Sequence, residues 1–324
     1  MMTTIPSPPF LADSITKAAS KQTYYTIRFL VDRDRVADAY RAYAYFRWVD
    51  DTLDSNLALS GMTSTARNVV EAQERTDFLA RQKSLLEKSY RRESIKDATA
   101  EEQMLIQLVR HDNDTNGGLH SYLHNMMQVM EFDAKRRGRS ISQTELNQYT
   151  HWLATAVTEA MHYFIGHCCS SPNDETRYLA VSGAHITHML RDTFDDVQTG
   201  YYNIPREVLE ANNIQPQEIQ SKAYCDWVRS RVNLARKYFQ AGKGYLARVQ
   251  NPRCRLAGFA YTARFEWLLD TIEQEDYFLR PEYTERKSFS TGVRMGLSTL
   301  SAVLHSGEQK TLHRPVVSQP LRKS

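Results

Sequence analysis

Glycine and proline are scarce in this chain, 13 and 10 of 324 residues, and they fall between long periodic stretches rather than inside them. That distribution is the signature of an all-α chain. Long hydrophobic runs are also missing. No window approaches the ~18 uncharged apolar residues of a spanning helix, which excludes a transmembrane reading. Cysteine is sparse and unpatterned: Cys168, Cys169, Cys225 and Cys254 make no C-x-x-C and no zinc spacing. They read as reduced thiols of a cytosolic protein. The absence of G-x-G-x-x-G removes a Rossmann-type nicotinamide site. An excess of one charge is lacking too, and a net charge of +3 is too small to argue for nucleic acid. Met1 to Ser14 has neither the charged start nor the apolar run of a signal peptide, and its prolines suggest a disordered lead-in.

What is present is an ordinary globular balance, 41% hydrophobic and 24% charged residues. The periodicity predicts helices over Ser14 to Leu30 and Arg33 to Asp54, a loop over Leu57 to Thr65, and a charged helix to about Arg92. Further helices are expected near Ala98 to His111 and Leu119 to Arg137, split by the polar break Asp112 to Gly118. Ser142-Gln143-Thr144-Glu145 is a capping box that opens a helix to about Gly166. Asn173 or Asp174 should cap the next, which stops near Gly200, and Pro205 suits the first turn of a short piece. The last three are expected near Pro216 to Arg248, Pro252 to Glu275 and Pro281 to His305. No linker is long enough to split the chain. Residues 15–305 therefore read as one domain, followed by a polar, basic tail over 306–324.

Two acidic clusters stand out, Asp50-Asp51-Thr52-Leu53-Asp54 and Asp192-Thr193-Phe194-Asp195-Asp196. Each places carboxylates four residues apart, on one side of a helix and about one turn apart. Arg47, Asp50, Asp51 and Asp54 form a continuous stripe embedded in Tyr43, Tyr45, Phe46, Trp48, Val49 and Leu53, not an ordinary wet surface. Arg191 adjoins the second cluster. If the two helices face each other, up to six carboxylates share a pocket and raise one another's pKa. Divalent cations relieve such repulsion. All-oxygen ligands favour Mg²⁺, which bridges protein carboxylates to substrate phosphates, so the pattern points to diphosphate chemistry.

The run Tyr43 to Asp54 resembles the first aspartate-rich motif of the squalene/phytoene synthase family, approximately Y-A-x-C-R-x-x-D-D-x-x-D. Leu190 to Asp196, then Gly200-Tyr201-Tyr202-Asn203-Ile204-Pro205, resembles its second motif, approximately L-R-D-x-x-x-D followed by G-R-x-Y-L-P. Ser20 to Tyr24 is similar to the family's S-K-S-F segment, and the resemblance covers roughly Ser20 to Phe289. It implies an all-α, single-domain isoprenoid-synthase helical bundle with a central cavity. It also implies head-to-head joining of two allylic prenyl diphosphates, with Mg²⁺, or Mn²⁺ in its place, between the acid helices. Carried over by position, Asp50, Asp54, Asp192 and Asp196 are the metal-binding and catalytic acids, with Asp51 beside them. Arg47 and Arg191 hold diphosphate, and Tyr24 and Tyr43 lie near the substrate. Aromatic faces suit an allylic cation, at ~0.5–2 kcal/mol each when water is excluded.

The chain departs from the family pattern in three places. His185 and His188 stand where the family has glutamine and asparagine, and with Asp192 and Asp196 they occupy one helix face. Both are therefore candidate substrate contacts. In the family's Y-C-Y-x-V-A-G-x-V-G stretch, His151 replaces a tyrosine and Thr155 and Thr158 replace glycines, which would narrow the prenyl channel. Phe265 replaces a tyrosine and loses a hydroxyl.

Other readings stay open at this stage. A class I terpene cyclase or a prenyl-alcohol-forming relative would keep the ionisation and change the fate of the cation. A non-enzymatic scaffold would keep only the fold. Glu159-Ala160-Met161-His162 has the ligand spacing of di-iron bundles, although those need two such motifs. The expected protein is cytoplasmic, a monomer or weak dimer. Surface contact with a membrane would be made by the last helix, Ser288 to Leu304, and the basic tail.

Overall fold

The computed structural model describes residues 8–54, 64–113, 117–167 and 169–283. Among these residues the chain forms eleven α-helices: α1 Pro8–Ala19, α2 Lys21–Leu30, α3 Val36–Asp54, α4 Ser64–Tyr90, α5 Ala100–Arg110, α6 Gly118–Arg136, α7 Gln143–Phe164, α8 Leu179–Thr199, α9 Arg206–Asn212, α10 Lys222–Arg248 and α11 Pro252–Gln274. Among the described residues there is no strand, and one isolated β-bridge pairs Ser140 with Tyr202. The helix expected over Pro281 to His305, beyond its first three residues, the tail and most of the loop over Leu57 to Thr65 lie outside the described residues.

Local chemistry sets the helix boundaries. Thr99 with Glu102, and Ser142 with Glu145, form complete capping boxes at the starts of α5 and α7. The expected helix over Ser14 to Leu30 is two helices instead. Ser20 leaves helical geometry at φ −152° and accepts from the Thr23 N–H, so α2 restarts there, and α1 already begins at Pro8. Asp174 does not cap α8. Its carboxylate accepts from the Thr176 N–H and takes Arg248 Nη1 at 2.6 Å, and α8 starts later, at Leu179. The helix expected from Pro216 starts at Lys222, where the Ser221 side chain caps it. Gly200 ends α8 at φ 87°, a left-handed cap that a side chain would strain.

The helices bury two main apolar cores. One is built mostly from the first seven helices, around Tyr45, Leu105, Leu108 and Leu123, and the other from α8 to α11, around Val228, Phe239 and Leu269. Helix α8 packs on α7, α10 and α11. Its approach to α10 is very close, because a Cβ on Gly242 would stand 2.4 Å from the Ala180 backbone nitrogen. Helix α3 is held by a buried polar chain. Tyr45 Oη donates to Gln82 Oε1 at 3.0 Å, and Gln82 Nε2 donates to Glu102 Oε1 at 3.0 Å. Arg81 closes the chain as a fork on the same carboxylate, and its hydrogen bonds hold Glu102 down at about 2. The acid-bearing end of α3 is thereby fixed opposite α8.

Candidate active site

A cavity of about 270 Å³ opens between α3, α6, α7 and α8. Helix α3 contributes Asp50, Leu53 and Asp54, and α8 contributes His185, His188, Met189, Asp192 and Asp196 from one face. The two acid clusters, distant in sequence, share this cavity. Tyr201 Oη, in the turn after α8, lies 3.4 Å from Asp54 Oδ1 and bridges the two segments.

The carboxylates have unequal environments. Arg47 forks onto Asp51 and reaches Asp50 Oδ2 at 3.3 Å. Asp51 is exposed and points away from the cavity lining. Burial pushes Asp50 up to about 6, and the charge of Asp54 adds to the shift. On α8, Arg191 binds both oxygens of Asp192 at 2.6 Å, and His188 Nε2 lies 3.2 Å from the same carboxylate. Burial pushes Asp196 up to about 7, with Asp192 adding repulsion. Asn203 Nδ2 donates to Asp196 Oδ2 at 2.7 Å and opposes that rise.

A third acid and a buried arginine complete the wall. Arg136 Nε donates to Asp133 Oδ1 at 2.6 Å, its Nη1 donates to Asn203 Oδ1 at 2.8 Å, and its guanidinium lies 4.9 Å from the ring centres of both Tyr149 and Tyr201. Tyr149 Oη donates to Asp133 Oδ2 at 2.8 Å. Burial raises Asp133 against the pull of Arg136. Neither Asp133 nor Arg136 was expected from sequence. Tyr201 and Asn203 were quoted only within the second motif, where the family pattern has arginine and tyrosine at their positions.

His185 is 4% exposed, and neither ring nitrogen has a hydrogen-bond partner in the described structure. Burial drives its pKa well below the ordinary value, so the ring is neutral. Its neighbour by ring contact is Tyr149, at 5.0 Å.

The other expected residues stand off the cavity lining. Arg47 and Arg191 flank it through their carboxylate partners. Tyr43 packs partly buried against the first core, and its charge interaction is with Arg47. Tyr24 is buried against Tyr40 and Tyr25, with its hydroxyl accepting from Arg28 at 3.4 Å. Phe265, on α11, is reached through His188, whose ring lies 6.3 Å away. His151 is displaced altogether: it lines a different cavity between α7, α8 and α10. The di-iron alternative meets a competing arrangement. Glu159 takes a two-pronged contact from Arg177 at 2.7 and 2.9 Å, and His162 Nε2 pairs with Tyr245 Oη at 2.7 Å.

The donor set suits a hard divalent cation. Asp50, Asp54, Asp192 and Asp196 present oxygen ligands to one space, and Asp50 and Asp196 gain from any positive charge placed there. Among the described residues no three ionisable side chains enclose an ion by themselves.

Comparison with known proteins bears on the fold and the family. The squalene/phytoene synthase family profile matches residues 16–290. A search of curated proteins finds no match to the sequence. Among solved structures, the chain is similar to squalene synthase HpnC from Alicyclobacillus acidocaldarius, at 17% identity and a TM-score of 0.63, covering 84% of this chain and 95% of that one. A dehydrosqualene synthase in complex with ligand gives 14% identity and a TM-score of 0.64, covering 94% and 97%. The complex of TcSQS with a ligand gives 15% and 0.64, covering 94% and 90%. These likenesses show the shared all-helical fold. With the profile match over most of its length, the chain belongs to the squalene/phytoene synthase family.

Proposed function

We propose that this protein joins two allylic prenyl diphosphates head to head, with Mg²⁺ and with release of pyrophosphate. One observation carries the reading: Asp50 and Asp54 of α3 and Asp192 and Asp196 of α8 line a single cavity. Prenyltransfer is the family's chemistry, and the family is typically Mg²⁺-dependent.

Bound Mg²⁺ supplies Lewis-acid stabilisation of the diphosphate leaving group. The chain's own residues do the rest. The four acids would hold the cation, with diphosphate oxygens completing its coordination. Arg47 and Arg191 now bind Asp51 and Asp192. Released from those partners, either fork can take two diphosphate oxygens, where charge-assisted bidentate contact is strongest. Tyr149 and Tyr201 turn aromatic faces toward the site, though Arg136 already occupies part of each. Neutral His185 offers one nitrogen acceptor and one N–H without adding charge.

At about 270 Å³ the cavity is small beside the ~300–1,000 Å³ of drug-sized ligand sites, so two whole prenyl chains need space beyond it. Thr155 and Thr158 on α7 carry buried hydroxyls without partners where the family pattern has glycines. This restricted room favours a second reading on the same ionisation, a cyclised hydrocarbon or a prenyl alcohol made from one substrate. Incubation with Mg²⁺ and C15 or C20 prenyl diphosphate should release pyrophosphate, and mass analysis of the product separates the two fates. A folded protein that releases none from either substrate removes both.

A further inference from the structure

A second cavity, of about 740 Å³, is walled by α7, α8 and α10. Leu179, Ile186 and Leu234 give it an apolar surface, and Arg231 stands in its wall. Arg231 is 8% exposed. Among the described residues it forms no ion pair and no hydrogen bond. Burial lowers its pKa, and the neighbouring Tyr238 opposes that shift only in part.

The contrast with the other buried arginines is informative. Arg41 pairs with Asp38, Arg136 with Asp133 and Arg177 with Glu159. A buried guanidinium without a carboxylate is costly, because desolvation is not offset. Glu175 lines the same cavity but is exposed and makes no ion pair with Arg231. No described carboxylate supplies the counter-charge, and the cavity lets a ligand reach the guanidinium. A guanidinium prefers oxyanions, and the apolar wall beside it prefers hydrocarbon.

We propose that this cavity binds an amphipathic anion, with its carboxylate or phosphate head on Arg231 and its apolar body against Leu179, Ile186 and Leu234. The site shares no lining residue with the acid cavity and does not rest on the prenyltransfer reading.

Calorimetric titration of the full chain in Mg²⁺-free buffer tests it with four probes: octanoate, octyl phosphate, inorganic phosphate and octanol. Octanoate or octyl phosphate should bind saturably, and the tighter of the two identifies the head group. Octanol and inorganic phosphate should bind roughly tenfold more weakly or worse, each lacking one half of the recognition. Arg231→Met should lose roughly tenfold or more in affinity, while Arg231→Lys, which keeps the charge, retains part of it. The Met variant should melt no lower than the parent, since it removes an unpaired buried charge. Leu234→Trp, which fills the cavity from another wall and leaves the guanidinium in place, should also lose binding. Octanol binding as tightly as octanoate, undiminished binding by Arg231→Met, or no binding of either amphiphile would each overturn the proposal.

Discussion

Asn203 donates from Nδ2 to Asp196 Oδ2 at 2.7 Å, and its own Oδ1 accepts from Arg136 Nη1 at 2.8 Å. One amide thus relays a buried cation to the acid whose pKa burial has pushed up to about 7. Asn203→Ala removes the hydrogen bond that favours the Asp196 carboxylate, so the pKa rises further. A hydrogen bond to a charged group is worth ~1.5 kcal/mol or more, which corresponds to about one pH unit. The acidic limb of the pyrophosphate-release profile should move up by about that amount. An unmoved limb would mean that Asp196 does not need to be ionised for turnover.

Asp54→Asn and Asp192→Asn should each abolish pyrophosphate release while leaving the helical circular-dichroism signal near that of the parent. Both residues line the shared cavity, and neither substitution opens a void. Loss of the helical signal would instead mark the acids as structural.

Stability should also report the acid cavity. Asp50 and Asp196 sit at about 6 and 7 in the fold, against an ordinary 3.8. Between pH ~4 and ~7 these two carboxyls therefore hold more protons in the folded state than in the unfolded chain, and their contribution to stability falls as pH rises through that window. Buried His162 and His185, held below the ordinary imidazole value, push the other way over the same range, so the test compares variants: metal-free Asp196→Asn should gain melting temperature relative to the parent as pH rises from 5 to 8. Mg²⁺ with pyrophosphate at pH 8 should raise the melting temperature, by ~2.7 kcal/mol of added stability at a hundredfold excess over Kd. A difference between parent and Asp196→Asn that stays constant from pH 5 to pH 8 without metal would contradict the assignment.

Much of this site was legible in the sequence because a helix face is a matter of spacing. His185, His188, Asp192 and Asp196 do share one face of α8 and one cavity. Helix order was legible for the same reason, through the capping box at Ser142 and the glycine stop at Gly200. What periodicity hides is which side of a helix meets which neighbour. Tyr149 and His151 are two residues apart, about 200° around α7, so when one lines the acid cavity the other lines the outer one. Asp133 and Arg136 read as an ordinary surface pair at i, i+3. Only the packing of α6 on α7 buries Arg136 and brings the pair against Tyr149. The break at Ser20 was written in its cap, but the apolar period on either side ran through it.

His185 presents an unusual cost. Both of its ring nitrogens are buried without partners, and an unsatisfied polar group costs ~1–3 kcal/mol. His185→Leu should therefore keep or raise the melting temperature of the free enzyme. If the ring contacts substrate, the same change slows pyrophosphate release. A lower melting temperature would show that the imidazole is satisfied in solution, for instance by a buried water.

Glu159 tests whether the lone E-x-x-H is scaffold or metal site. Its carboxylate holds Arg177 and accepts from Tyr178 Oη at 2.9 Å, and Arg177 in turn donates to Tyr245 Oη at 2.9 Å. The network ties α7 to the start of α8 and to α10. Glu159→Ala leaves a buried guanidinium uncompensated, for which the loss is ~3–5 kcal/mol. At ~1 kcal/mol per 2–4 °C for chains approaching this size, the melting temperature should fall by roughly ten degrees. Arg177→Met in the Glu159→Gln background removes both charges and should recover part of the loss, as expected of a structural pair. Iron retained by the parent protein and lost with Glu159→Ala, at little cost in stability, would instead restore the metal reading.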